Sequence, residues 1–330
     1  MKHDHQLSVL IIGITGSFGK SLALELLNRS IVQFPIHALV RSIEKAKTMF
    51  SPENQEKMVF IKGDIQNIDE LRAAAPVTLD YVVHAVNYPY DQWDPFTRIA
   101  LENSLQLASE KNARLLFPAN VYSLKPVYDQ PLSESHPFGP ISKKGALRQI
   151  MEEIIENSNV KSLSVRAGDY FGPSLTNIQM DNIFRTSAIG KSVTWYGSIK
   201  SKRDWMFLPD LAKATVSLME IKDLSDKERV HVSGIVVTGT DFMTALQSEA
   251  FKVNGGKKVG CNVTPWFVIK LAGLFNSLAR EFYEMKYLKD HNLQLDDSKL
   301  KLLVPDFKLT PLEETLKLTL EAVKQENKAK

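Results

Sequence analysis

The stretch LIIGITGSFGKSLALELL, Leu10 to Leu27, constrains the fold of this chain more than any other. A short apolar run, suited to a strand buried on both faces, meets glycines at 13, 16 and 19. Leucines at 22, 24, 26 and 27 follow at helical spacing. The alternation recurs downstream. Strands are predicted at Leu7–Ile12, Ile36–Val40, Met58–Lys62, Tyr81–His84, Leu115–Phe117 and Leu163–Val165. Helices are predicted over Ser42–Met49, Asp69–Ala75, Phe96–Lys111 and Lys143–Asn157. Strand alternating with helix builds an α/β fold, a doubly wound parallel sheet that takes ligands at the carboxyl ends of its strands.

At the first strand–helix junction, glycine permits a tight turn, close approach of backbone to ligand and close helix–strand packing. The helix start then offers free N–H groups and a positive dipole end to a pyrophosphate. Gly13, Thr15, Gly16, Ser17, Phe18 and Gly19 are therefore candidate cofactor residues, against the plainer reading of an ordinary turn. The second strand ends in Arg41 and Ser42, with no carboxylate for a ribose 2′-hydroxyl. An arginine fork suits a 2′-phosphate, so NADP is favoured over NAD.

Composition narrows the partners. The chain has 330 residues, with 41 basic against 38 acidic side chains, a balance that points to neither nucleic acid nor a membrane surface. The single Cys261 leaves no intrachain disulfide and no cysteine-built metal site, and no histidine–carboxylate cluster suggests a metal. A reducing, cytoplasmic setting is expected, since MKHDHQ lacks the apolar core of a signal peptide. The apolar stretch Trp266–Leu274 reads as a buried helix, too short and too charged at Lys270 for a span.

Several motifs resemble the short-chain dehydrogenase/reductase superfamily, in its extended, epimerase/dehydratase-type branch. GITGSFG is similar to its glycine motif. GDI (Gly63–Ile65) resembles the segment where Asp64 and Ile65 meet the adenine. VVHAV (Val82–Val86) resembles the cofactor-lining stretch with His84, Ala85 and Val86. Asn103 stands mid-helix as in the family. VRAGDYFGP (Val165–Pro173), with Gly168, resembles the segment passing the nicotinamide, and RDWMFLPDLA (Arg203–Ala212) resembles RDYIHVxDLA. The resemblance implies a Rossmann-type domain over residues 1–172, with 203–235 returning to it. Residues 173–202 and 236–330 would form a smaller, mostly helical substrate domain. It also implies a small-molecule substrate and a possible homodimer through the helices at 96–111 and 143–157.

The family's acid–base set is a tyrosine and a lysine four apart on one helix face, with a hydroxyl on the preceding strand end. Here Pro118 stands at the hydroxyl's place. Lys143 or Lys144 supplies the lysine, but Gly139 and Pro140 precede them by four. The one YxxxK, Tyr196 to Lys200, contains glycine and reads as strand and turn. Tyr122 is the substitute acid this sequence offers, against the plainer reading of a buried structural phenol, and Asp169 a second candidate, against a loop-capping aspartate; the resemblance implies that Asp169 and Arg203 stand where nucleotide-sugar members touch their substrate. Asn87, Tyr88, Tyr90, Asn120 and Arg203 are candidate substrate contacts; loop packing is the plainer reading for the Asn87–Trp93 segment and a solvated basic turn for Arg203. Asp210 reads as a helix cap. An NADP-dependent oxidoreductase on a small carbonyl or hydroxyl compound is the first reading. The rivals are a silent nucleotide-binding module and a nucleotide-sugar epimerase or dehydratase.

Overall fold

A computed structural model describes residues 6–29, 31–32, 35–89, 92–173 and 178–329. Tyr90, one of the candidate substrate contacts, lies outside the described residues. The strands are β1 (Val9–Ile12), β2 (Ile36–Val40), β3 (Met58–Lys62), β4 (Tyr81–His84), β5 (Arg114–Ala119), β6 (Ser162–Arg166), β7 (Asp169–Phe171), β8 (Val193–Tyr196), β9 (Lys202–Phe207), β10 (Lys227–His231), β11 (Ile235–Thr238) and β12 (Cys261–Thr264). The helices are α1 (Ser17–Arg29), α2 (Ile43–Lys47), α3 (Pro52–Glu56), α4 (Ile68–Ala74), α5 (Phe96–Glu110), α6 (Lys143–Asn157), α7 (Ile178–Ala188), α8 (Leu208–Met219), α9 (Gly239–Val253), α10 (Trp266–Ala272), α11 (Ser277–Glu284), α12 (Tyr287–Asp290), α13 (Ser298–Leu303) and α14 (Leu312–Ala329).

Seven strands form one parallel sheet in the order β10-β6-β5-β4-β1-β2-β3. The order reverses between β1 and β4, the switch point where such sheets take ligands. Both faces are covered, which is why the strands read as unbroken apolar runs. Val9 and Ile11 enter one core layer, and Leu10 and Ile12 the other. Helix α8 packs on α1, and β10 extends the sheet beside β6, so the chain after residue 202 returns to it.

In the later chain, β8 lies where the sequence offers a strand, at Val193–Tyr196, and β12, which the sequence did not announce, pairs with it in parallel. The equally unannounced β11, β9 and β7 form a small mixed sheet. Three expectations are corrected. The helical pattern that the sequence carries over Trp266–Arg280 is not one helix. It breaks at residues 273–276 into α10 and α11, and a Cβ on Gly273 would stand 3.1 Å from the Cα of Arg280, so the break lets the two helices close on each other. Nor is Trp266–Leu274 buried, for Phe267 is 64% exposed and Leu274 69%. Asp210 does not cap its helix, which begins at Leu208. Its buried carboxylate instead accepts from the N–H (2.7 Å) and hydroxyl (2.8 Å) of Thr310, tying α8 to the C-terminal segment. Among the described residues, no helix is long and apolar enough to cross a membrane.

Candidate active site

The carboxyl ends of β1 to β6 bring the sequence candidates to one edge. Gly13 follows β1 with φ +91°, a region side chains avoid. A Cβ there would lie 2.4 Å from the Ala85 carbonyl oxygen, and a Cβ on Gly19 2.4 Å from that of Gly13. The turn thus packs backbone to backbone against the end of β4, and α1 packs against the turn. The Gly16 N–H donates to the Gly13 carbonyl at 2.9 Å. Thr15, Gly16 and Ser17 are half-buried at the mouth of α1. The side chain of Phe18 belongs to the core, so only its backbone is offered to a ligand.

Arg41 is exposed and lines a surface depression with Lys62, Gly63, Asp64 and Glu70. The Asp64 N–H donates to Glu70 at 2.7 Å. Ile65 is a core residue whose carbonyl accepts from the Asn103 amide at 2.7 Å, so its side chain is not free to line a pocket. Ala85 and Val86 are half-buried beyond β4, and Val86 packs on the core.

His84 ends β4 in full burial. Ser104 donates its hydroxyl proton to the Ala100 carbonyl (2.9 Å), so Nδ1 of His84 donates to the Ser104 oxygen at 2.8 Å. Burial, helped by the Arg148 guanidinium, pushes His84 down to about 3. It is a neutral structural imidazole rather than a base working near neutrality.

An aromatic wall follows. Tyr88 accepts from the Gln66 amide at 2.6 Å. Trp93 is buried and donates its indole N–H to the Tyr88 carbonyl at 2.8 Å. Tyr122 stacks on Trp93 with centroids 6.5 Å apart, and the Arg148 guanidinium lies 4.9 Å from the Trp93 ring centre. Asn87 is exposed beside this wall. Pro118 is half-buried within β5 and offers no hydroxyl. Asn120 caps the short turn Val121–Ser123, its side-chain oxygen accepting from the Tyr122 N–H at 3.1 Å. A Cβ on Gly145 would fall 2.3 Å from the Tyr122 carbonyl, so α6 lies directly against this turn.

Four candidates stand differently from their sequence reading. Lys144 is buried and paired with Glu284 (2.9 Å) and Glu281 of α11. Lys143 is exposed, and its backbone N–H donates to Glu284. Asp169 bonds Lys289 at 2.6 Å; burial would raise its pKa, but Lys289 and Arg203 outweigh that and hold it below the usual carboxylate range. Arg203 is no solvated turn. It is buried against Trp195 and Trp205 and donates to the carbonyls of Tyr196 (3.0 Å) and Lys289 (2.8 Å). Gly168 packs against β9, where a Cβ would meet the Asp204 carbonyl at 2.5 Å. In Tyr196–Lys200, Gly197 has φ +82°, which fits a turn and not a helix.

Sequence reasoning missed a buried network behind Tyr122. Arg166 pairs with Glu152, and donates to the Asn120 carbonyl and to Ser123 (3.1 Å). Ser123 donates on to Glu152 at 2.6 Å. The signal was present: Lys144, Arg148 and Glu152 recur at four-residue intervals on α6, and all three are buried.

Seven parallel strands in this order, with a glycine junction ahead of α1, define a fold of the extended short-chain dehydrogenase/reductase type. The profile of the NAD dependent epimerase/dehydratase family matches residues 9–233, and the chain belongs to that family of enzymes. Among similar solved structures is UDP-glucuronic acid 4-epimerase from Bacillus cereus with UDP-glucuronic acid and NAD. It has 18% identity over 97% of this chain and 99% of its own, with TM-score 0.74. WbmH from Bordetella bronchiseptica, with NAD+, has 21% identity over 97% and 99%, with TM-score 0.73. DesIV, a dTDP-glucose 4,6-dehydratase from Streptomyces venezuelae with NAD and TYD, has 15% identity over 98% of each chain, with TM-score 0.73. At such identities the likeness is one of fold. Compared by sequence with curated proteins, the chain has no match.

Proposed function

We propose that the chain binds a nicotinamide dinucleotide along the carboxyl edge of its large sheet, NADP in preference to NAD. It then acts as an oxidoreductase on a small carbonyl or hydroxyl compound. The observation behind this reading is the Gly13–Gly19 junction, whose backbone leaves no room for side chains where a pyrophosphate would approach. Ser17 and the first amides of α1 hold the phosphates, and Arg41 with Lys62 flanks the place of a 2′-phosphate. When bound, the cofactor supplies or accepts the hydride. Tyr122, on the capped turn beyond β5, exchanges the substrate proton, with Trp93 and Tyr88 as its wall. Residues 1–172 and 203–235 serve the cofactor in this reading, and the remaining segments cover the substrate. Helices α5 and α6 would join two copies.

One observation favours a second reading, a nucleotide-binding module without turnover: Lys144 is already neutralised by two glutamates. The nucleotide-sugar reading draws on the family. The two residues that favoured it in the sequence are engaged elsewhere, Arg203 by backbone carbonyls and Asp169 by Lys289.

Calorimetry should give tighter binding of NADPH than NADH, and Arg41→Ala should erase most of that difference. If the preference survives the substitution, Arg41 does not read the phosphate. Screening aldehydes, ketones and sugar nucleotides by loss of nicotinamide absorbance should find a substrate whose kcat falls about a hundredfold in Tyr122→Phe. Tight binding without turnover across that panel would establish the silent module instead.

A further inference from the structure

The hairpin of α10 and α11 turns apolar side chains outward. Fifteen large apolar side chains are exposed among the described residues, and six of them fall within residues 267–278: Phe267, Val268, Leu271, Leu274, Phe275 and Leu278. Phe275, at the tip between the helices, is 94% exposed. An apolar cluster of this density on a protein surface marks an interaction site.

The hairpin's charges are sorted by face. Its acids, Glu281 and Glu284, turn inward and pair with Lys144 on α6. Its cations, Lys270 and Arg280, are exposed. The whole segment 251–280 contains five cations and no acid, although the full chain is nearly balanced. The inner face is anchored: Trp266 donates its indole N–H to Asp290 at 2.8 Å and packs on Phe282, which in turn contacts Tyr196. The apolar tip is therefore held out on a fixed base.

We infer that this hairpin seats the protein on an anionic lipid surface, with Phe267, Leu271, Leu274 and Phe275 entering the headgroup boundary. Lys270 and Arg280 meet the lipid phosphates. Apolar residues interleaved with cations and free of acids fit such an interface, whereas a neutral protein groove would not call for the charge sorting. Helices of 7 and 8 residues lie on a bilayer rather than cross it. Because the inner glutamates hold Lys144 at the start of α6, seating at the membrane is mechanically joined to the candidate active site.

The test is co-sedimentation of the full chain with phosphatidylcholine vesicles, with and without phosphatidylglycerol. Binding is expected only to the anionic vesicles and should weaken as salt is raised. Leu274→Ser/Phe275→Ser should lower it at least about tenfold. Lys270→Gln/Arg280→Gln should lower it about thirtyfold, on the scale of two lost juxtamembrane cations. All four side chains are exposed, so thermal melts should match the parent and exclude misfolding as the cause. Absence of binding to anionic vesicles overturns the inference, as does equal binding by the serine variant. A concentration-dependent dimer in light scattering that the serine substitutions abolish would assign the face to a second copy and overturn it as well.

Discussion

Glu152→Ala is expected to cost about 3 to 5 kcal/mol of stability, the scale for leaving a buried charge without its partner. Glu152 and Arg166 are almost wholly excluded from water, and their pairing crosses from α6 to the end of β6. With the carboxylate gone, the Arg166 guanidinium keeps the Asn120 carbonyl and the Ser123 oxygen but no counter-charge. Ser123 loses the acceptor of its hydroxyl proton. Those two residues bracket Tyr122, so the turn that presents the proposed acid should loosen with the fold. Urea unfolding at neutral pH measures the cost. Glu152→Gln separates its parts, because it keeps an acceptor for Ser123 while removing the charge. A loss below about 1 kcal/mol for the alanine variant would mean that water or rearrangement replaces the pair, and the network would then not hold the turn.

That network also marks where the sequence stopped being legible. The strands of the large sheet could be read because burial on both faces leaves apolar runs, and Ile36–Val40, Met58–Lys62 and Tyr81–His84 lie where periodicity put them. Strand β9 begins with Lys202, Arg203 and Asp204, and three charges in a row do not read as a strand. It is buried because Arg203 finds two carbonyls and two indole rings, while Asp204 accepts from the N–H of Gly234 (2.6 Å) and from Ser233 (2.9 Å). Of those partners, Lys289, Ser233 and Gly234 come from distant segments and leave no local signature. Lys144 illustrates the same limit: its glutamates lie about 140 residues along the chain. The outward face of α10 was misread for the opposite reason, since apolarity alone does not say whether a helix turns toward a core or away from it. The glycine junction was legible because its requirement is local, a turn and two backbone approaches within a few residues.

Acidification from pH 7 to 5 is expected to cost a net 2 to 3 kcal/mol, about the balance of three buried groups. Burial pushes both His84 and His231 down to about 3, with Arg148 and Arg166 respectively adding repulsion. His231 is fixed as a neutral donor, its Nδ1 giving a bond to the Leu132 carbonyl at 2.9 Å. The unfolded chain takes up these protons near pH 6.5 and the folded chain only near 3. The stability they supply is therefore full above pH 6.5 and is lost as pH falls toward 3, about 2 kcal/mol for each at pH 5. His37, also lowered by burial, adds in the same direction. Asp204 opposes them. Burial outweighs its donors and pushes it up to about 6, so its ionised form destabilises the fold at neutral pH. Acidification through that value restores about 1.4 kcal/mol by pH 5. Urea unfolding at the two pH values tests the sum. His84→Gln tests one part, because whatever it costs at pH 7, its pH difference should shrink by about 2 kcal/mol. A wild-type protein equally stable at pH 5 and 7 would show that these imidazoles are charged or hydrated in the fold, and His84 would then be a candidate proton carrier beside the glycine junction.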